Sequence, residues 1–318
     1  MAFDLQPMAR LDMGYLSLPP SPGTASHAPE VLTPALRGGL GVNLLPGVDA
    51  RLVLGVMPAE AAGRRGVGLR EAAVTWQPAG GLRLSGGQLR LPWQELEDRT
   101  SFGQWFQGGL MGTAGFLEPA GLGGGASLDW GDEDVEGGVA LAAVASEGWL
   151  GGAGTRSGPL VPAFWGRGPA VQGHLRTRLP WLGNWALGGR YNLADDQQVM
   201  AMGHGHAGPM AWLAAAGASS SAAVGVDLAA QAEVRWWWTG DASPQATGSW
   251  LVLSGRGQRN TAVSEVASAS WEVGLGVGAA PDDHTYAVTG LSWRKRPGAS
   301  EPEWWWRTAV SWRLREED

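Results

Sequence analysis

Apolar and polar residues alternate with a period of two along most of the chain. From Val224 the even positions read Val224, Val226, Leu228, Ala230, Ala232, Val234, Trp236 and Trp238, and the odd ones Gly225, Asp227, Ala229, Gln231, Glu233 and Arg235. The last segment repeats the pattern. Trp304, Trp306, Thr308, Val310, Trp312 and Leu314 share one face, and Trp305, Arg307, Ala309, Ser311, Arg313 and Arg315 the other. Successive side chains of a strand point to opposite faces, while a helix of 3.6 residues per turn would mix these sets. Shorter runs of the same kind cover Leu36 to Leu44, Ala50 to Val56, His174 to Leu179 and Asn184 to Tyr191. Turn signals separate them: PGVD at Pro46 to Asp49, PAGG at Pro78 to Gly81, GDEDVEGG at Gly131 to Gly138 and PWLGN at Pro180 to Asn184. In Leu82 to Leu91 the apolar parity switches across Gly86-Gly87, which predicts a bulge that restores a common face.

The character of the apolar face selects the architecture. It is thin, rich in Ala, Gly and Leu, and its tryptophans gather at strand ends: Trp76, Trp236, Trp238, Trp293, Trp304, Trp306 and Trp312. Amphipathic rings at both ends of a leucine-faced strand fit the aromatic girdles of a transmembrane barrel. A membrane strand needs about 9 to 11 residues at a tilt near 45°, which these segments supply. The prediction is an all-β, antiparallel transmembrane barrel occupying residues 1–318 as one domain. About fifteen segments are clear in the pattern. A barrel with both termini on one side has an even number of strands, so VMAMGHGH at Val199 to His206 is taken as a further strand. Sixteen strands are expected, with fourteen as the alternative.

Composition agrees. The 318 residues include 51 Gly and 19 Trp, with 44% hydrophobic and 17% charged residues, well below the usual quarter charged. No run is long and apolar enough for a helical span. The start, MAFDLQP, has neither the basic region nor the apolar core of an export signal. For an exported barrel the numbering then begins after processing. The absence of Cys removes disulfides, thiolate metal sites and cysteine nucleophiles. A net charge of −7 with scattered Arg excludes a basic nucleic-acid footprint.

The stretch Arg70 to Gly152 resembles the phosphate-selective porins of the O and P type. Its REAAVTWQPAGGLRLSGGQLRLPWQELEDRTS is similar to that family's strand, short turn and strand, ending in Gly87, Gln88, Leu89, Arg90, Leu91, Pro92 and Trp93, and then a long loop. The match covers about a quarter of the chain. The segment Arg307 to Leu314 looks like the signal read by the barrel-insertion machinery, with Ala309 where Gly is usual and the tail Arg315 to Asp318 in place of a terminal aromatic. The resemblance implies a 16-strand porin in the outer membrane of a Gram-negative bacterium, often a homotrimer. Membrane lipid, lipopolysaccharide and small anionic solutes are then its partners. It further implies no enzymatic activity and no cofactor.

If the Trp and Leu faces meet lipid, the opposite faces line a lumen. That set holds Arg37, Arg51, Arg83, Arg90, Arg176, Arg178, Arg190, Arg235, Arg307 and Arg313 against Glu71, Asp227, Glu233 and Glu272. Walls of Arg favour anions, because a narrow channel focuses their field. The alternative is that these arginines solvate the wall and pair with the four acids. The loop Pro92 to Gly108 is the candidate constriction, with Glu95, Glu97, Asp98 and Arg99 as its charges and Phe102, Trp105 and Phe106 to anchor it. Its other reading is an extracellular loop. His204 and His206 share one side of a strand, yet without further clustered ligands no metal site is expected. No nucleophile elbow or zincin motif is present, and no GK[ST] follows the glycines at Gly121. The leading function is a passive diffusion channel for small hydrophilic solutes that prefers anions. One rival is a structural barrel in a larger envelope complex for export or motility, with the WWW clusters as partner surfaces. Another is a soluble Trp-rich β-sheet binding protein.

Overall fold

The computed structural model describes residues 4–17, 30–57, 66–90, 120–131, 136–147, 170–179, 183–192, 197–221, 225–240, 247–261, 268–282, 284–295 and 300–313. Sixteen strands run through them: β1 (Asp4–Ser17), β2 (Glu30–Leu45), β3 (Val48–Met57), β4 (Gly66–Ala79), β5 (Leu82–Arg90), β6 (Ala120–Gly131), β7 (Glu136–Glu147), β8 (Ala170–Leu179), β9 (Gly183–Asn192), β10 (Gln197–Ala207), β11 (Met210–Ser221), β12 (Gly225–Gly240), β13 (Gly248–Thr261), β14 (Ser268–Ala280), β15 (Thr285–Lys295) and β16 (Glu303–Arg313). Each pairs antiparallel with its sequence neighbours, and β1 pairs with β16 through Leu11 and Trp312, closing the sheet. Closure removes the unpaired edges that a bilayer could not solvate. The expected strand at Val199 to His206 is β10.

Period two sorts the side chains. Leu40, Leu52, Leu141, Leu175, Leu187, Leu253, Leu275 and Leu291 are exposed on the outer face. Their chain neighbours of opposite parity, such as Val53, Ala140, Ala142, Ala186, Ser254 and Ser292, are buried on the inner face. A soluble sandwich would bury the leucines between two sheets. This single closed sheet turns them out, which removes the reading as a soluble binding protein. Trp76, Trp236, Trp238 and Trp312 ring the end that carries both termini, and Trp293, Trp304 and Trp306 ring the other. The girdle rings touch: Trp271 and Trp293 meet edge to face at 4.9 Å, and Trp293 and Trp304 stack at 6.1 Å.

One local expectation changes, and the facing of the WWW clusters follows the alternation. No extra residue enters β5 at Gly86-Gly87, where Val74, Ala73 and Ala72 pair with Gly86, Gly87 and Gln88 in unbroken register. An unbroken period of two sends Leu84 outward, while Leu89 turns in and packs with Ala73 and Ala142. In each WWW cluster only the flanking rings face out. The central Trp237 and Trp305 are buried inside, because they are one residue away from the outer parity.

Candidate functional site

The inner wall is where the charges meet. Among the described residues its face holds Arg51, Arg83, Arg176, Arg178, Arg235, Arg256, Arg294 and Arg307, and Asp49, Glu71, Asp129, Glu233, Glu272 and Glu303. Of the arginines expected there, Arg51, Arg83, Arg176, Arg178, Arg235 and Arg307 are described on it. Arg37, Arg90, Arg190 and Arg313 lie in strands, but their side chains are outside those described, as is that of Asp227. The loop with Glu95, Glu97, Asp98 and Arg99 also lies outside the described residues. The periodicity left Asp129, Arg256, Arg294 and Glu303 unassigned, and Asp49 was read only as part of a turn. The parity that puts Leu128, Trp130 and Trp293 outside was the signal that could have placed Asp129 and Arg294. Arg256 sits between glycines and carries no such signal.

The charges fall into two sectors. Around β5 to β8 Asp129 is the hub: Arg176 Nη2 donates to its Oδ1, and Arg83 Nη2 lies 3.7 Å from Oδ2. The backbone holds Asp129 there, since its N–H donates to the carbonyl of Gly81 at 3.0 Å. Register lines Asp129 up with Gly138 on β7 and Gly138 with Arg176 on β8, so the ion pair spans an intervening strand. A Cβ on Gly138 would stand 2.5 Å from Arg176 Nε and 2.6 Å from Asp129 Oδ1. Glycine at 138 makes the reach possible. Nearby, Arg51 faces Glu71 at 4.0 Å.

Across β12 to β16 the charges are more deeply buried. Glu272 accepts from Arg256 Nε and Nη2 at 3.1 and 2.9 Å, and Arg307 Nη2 lies 3.4 Å from its Oε1. Arg235 Nε donates to Glu233 at 2.6 Å. The guanidinium of Arg235 also lies over Trp250, and that of Arg294 over Trp305, at 5.6 and 5.5 Å. Toward the terminal end Trp237, Trp250, Val252, Ala280, Tyr286, Val288 and Ala309 form an apolar cluster inside the barrel. Trp250 packs 4.4 Å from Trp237 and 5.6 Å from Tyr286, centroid to centroid. It lies across Gly278, where a Cβ would sit 2.2 Å from the indole. Burial of such rings contributes more than their mutual contacts, which add about 0.5–1.5 kcal/mol per pair. Wall arginines pair with acids in both sectors, and on β12 to β16 those pairs are the more deeply buried.

His204 and His206 share the inner face of β10, as their spacing implied. No group of three or more metal-ligating side chains occurs among the described residues.

No protein-family model matches the chain, and no curated protein matches it. Solved structures do match. OmpF of Salmonella typhi, in complex with daunomycin, is 8% identical over 98% of this chain and 97% of its own, with a TM-score of 0.63. OprB of Pseudomonas putida, at high pH, is 9% identical over 98% and 94%, with a TM-score of 0.62. An anion-selective porin from Comamonas acidovorans is 12% identical over 98% and 100%, with a TM-score of 0.59. The fold is that of the outer-membrane porins. The likeness is one of fold and extends over 98% of the chain.

Proposed function

We propose that the chain is a porin of the Gram-negative outer membrane, a passive diffusion channel for small hydrophilic solutes with a preference for anions. The observation that carries this reading is the sorting of charge in a closed barrel. The outside is leucine and tryptophan at bilayer depth, and among the described residues of the inner wall eight arginines stand against six carboxylates although the whole chain is acidic. A low-dielectric bore focuses the field of its wall charges, so the local sign and not the net charge governs ion entry. Arginine serves an anion well because its planar fork makes two parallel hydrogen bonds to a carboxylate or phosphate. The motif Gly87 to Trp93 supports a relationship to the phosphate-selective porins, and through it assembly as a homotrimer. In this reading the chain moves solutes and catalyses nothing.

Planar-bilayer recording tests it. The folded barrel is expected to give discrete conductance steps and, across a KCl gradient, a reversal potential of anion-selective sign. A cation-selective sign that Arg176→Glu leaves unchanged would overturn the anion preference. A folded barrel that never conducts, and that co-purifies with fixed partners, would favour a structural subunit of an envelope complex.

A further inference from the structure

We infer that, among the described wall arginines that share a carboxylate, Arg83 and Arg176 at Asp129 in the β5–β8 sector together contact the passing anion, and that Arg256 and Arg307 at Glu272 in the β12–β16 sector are structural. The inference rests on the porin reading and names the residues that set its selectivity.

Solvent access separates the two sets. The side chains of Arg83, Arg176 and Asp129 are 43%, 33% and 25% exposed. Those of Arg256, Arg307 and Glu272 are 16%, 3% and 1% exposed. A permeating ion interacts by giving up part of its hydration to a group it can touch, and the buried set offers it little surface. Both sets are paired, so exposure and not engagement separates them: in the buried set Arg256 and Arg307 face Glu272, and Arg235 and Arg294 lie against Trp250 and Trp305.

Stoichiometry gives the open site its sign. Two guanidiniums face one carboxylate here, as they do at Glu272, but at Asp129 the positive excess stands on an exposed wall. Arg83 is the less tightly held of the two, at 3.7 Å from Asp129. Its fork can swing to a carboxylate or phosphate oxygen and return. Such a site attracts an anion without trapping it, because the carboxylate offers the guanidinium an alternative partner when the solute departs. Conduction requires binding of this moderate kind. The site lies at the turn end of β5, β6 and β8, the end that carries both termini. Depth there places discrimination near the terminal mouth.

The chain has no cysteine, so single substitutions can be labelled cleanly. Arg83→Cys, Arg176→Cys and Arg256→Cys, each checked for folding by heat-modifiable migration, would be treated in the bilayer with a sulfonatoethyl thiosulfonate, which adds a negative charge. The expected result is fast labelling at positions 83 and 176, with a several-fold fall in the chloride-to-potassium permeability ratio, and no labelling at 256 until the barrel is unfolded. Arg83→Gln and Arg176→Gln carry the same direction of shift where a cysteine variant does not fold. Labelling at 256 with an equal shift in selectivity overturns the inference, as does an unchanged ratio at 83 and 176 in a conducting channel. A folded wild-type barrel without conductance steps overturns the porin reading and this inference with it.

Discussion

Arg176 reaches Asp129 across a strand that separates them, passing over Gly138, which contributes no side chain to block the way. The partners are on β8 and β6 and are 47 residues apart in sequence. Gly138→Ala puts a methyl group into the line of that ion pair, and both flanking groups are the mobile ends of side chains. The pair is partly solvated, so its loss costs less than about 1 kcal/mol. The expected outcome is a barrel whose urea midpoint in detergent barely moves, while its reversal potential in a salt gradient does.

Glu272 is a different case, because it faces Arg256 and Arg307 where water has little access. Glu272→Ala leaves buried guanidinium charge without its carboxylate, which typically costs about 3–5 kcal/mol. Urea unfolding of the reconstituted barrel is expected to show a loss of that order. A loss under about 1 kcal/mol would mean that the sector is wetted.

The niche over Gly278 gives a steric test. Gly278→Ala drives a methyl group into the face of Trp250, a rigid ring already packed against Trp237 and Tyr286. Overpacking of this kind costs about 1–3 kcal/mol. Ala at Gly38, where a Cβ meets nothing within 4 Å, is the matched control and should leave the heat-modifiable transition in place.

Leu275 on β14 is 61% exposed and pairs with Leu253 and Leu291 on the neighbouring outer faces. It stands near the middle of its strand. Leu275→Arg is expected to destabilise folding into liposomes by about 2–4 kcal/mol and to have little effect on water solubility of the unfolded chain. A neutral result in liposomes would remove the lipid-facing assignment of this row.

The turn between β14 and β15 carries a pH dependence. The backbone N–H of His284 donates to Asp282 Oδ1 at 2.9 Å, and this bond holds the carboxyl below its ordinary range. A depressed folded value means that the stabilisation is full above the unfolded carboxyl value of about 4 and is lost as pH falls through the lowered one. Asp282→Ala should therefore differ from wild type in urea midpoint at neutral pH, and the difference should close at strongly acidic pH. A difference that persists there would assign the effect to turn geometry.

Much of the fold was legible because a β-barrel has one simple rule. Alternation placed Trp236, Trp238, Trp304 and Trp306 outside and Glu233, Arg235 and Arg307 inside, and the even-number requirement raised VMAMGHGH from a doubtful segment to β10. The rule held where a local exception was assumed, and the exception was the error. Leu89 was expected to rejoin the outer face through a bulge, yet its register is unbroken and it turns in against Ala73 and Ala142.

The sequence by itself determined the class of structure and the facing of six of the eight described inner arginines, since those depend only on the parity of near neighbours. Which arginines are solvated and which are buried was decided by the tertiary structure alone. Whether Arg83 and Arg176 share a carboxylate, or Arg256 and Arg307 do, depends on cross-strand register and on what stands at Gly138 and beside Trp250. Closing the barrel fixes those neighbours, and no periodicity along one strand contains them.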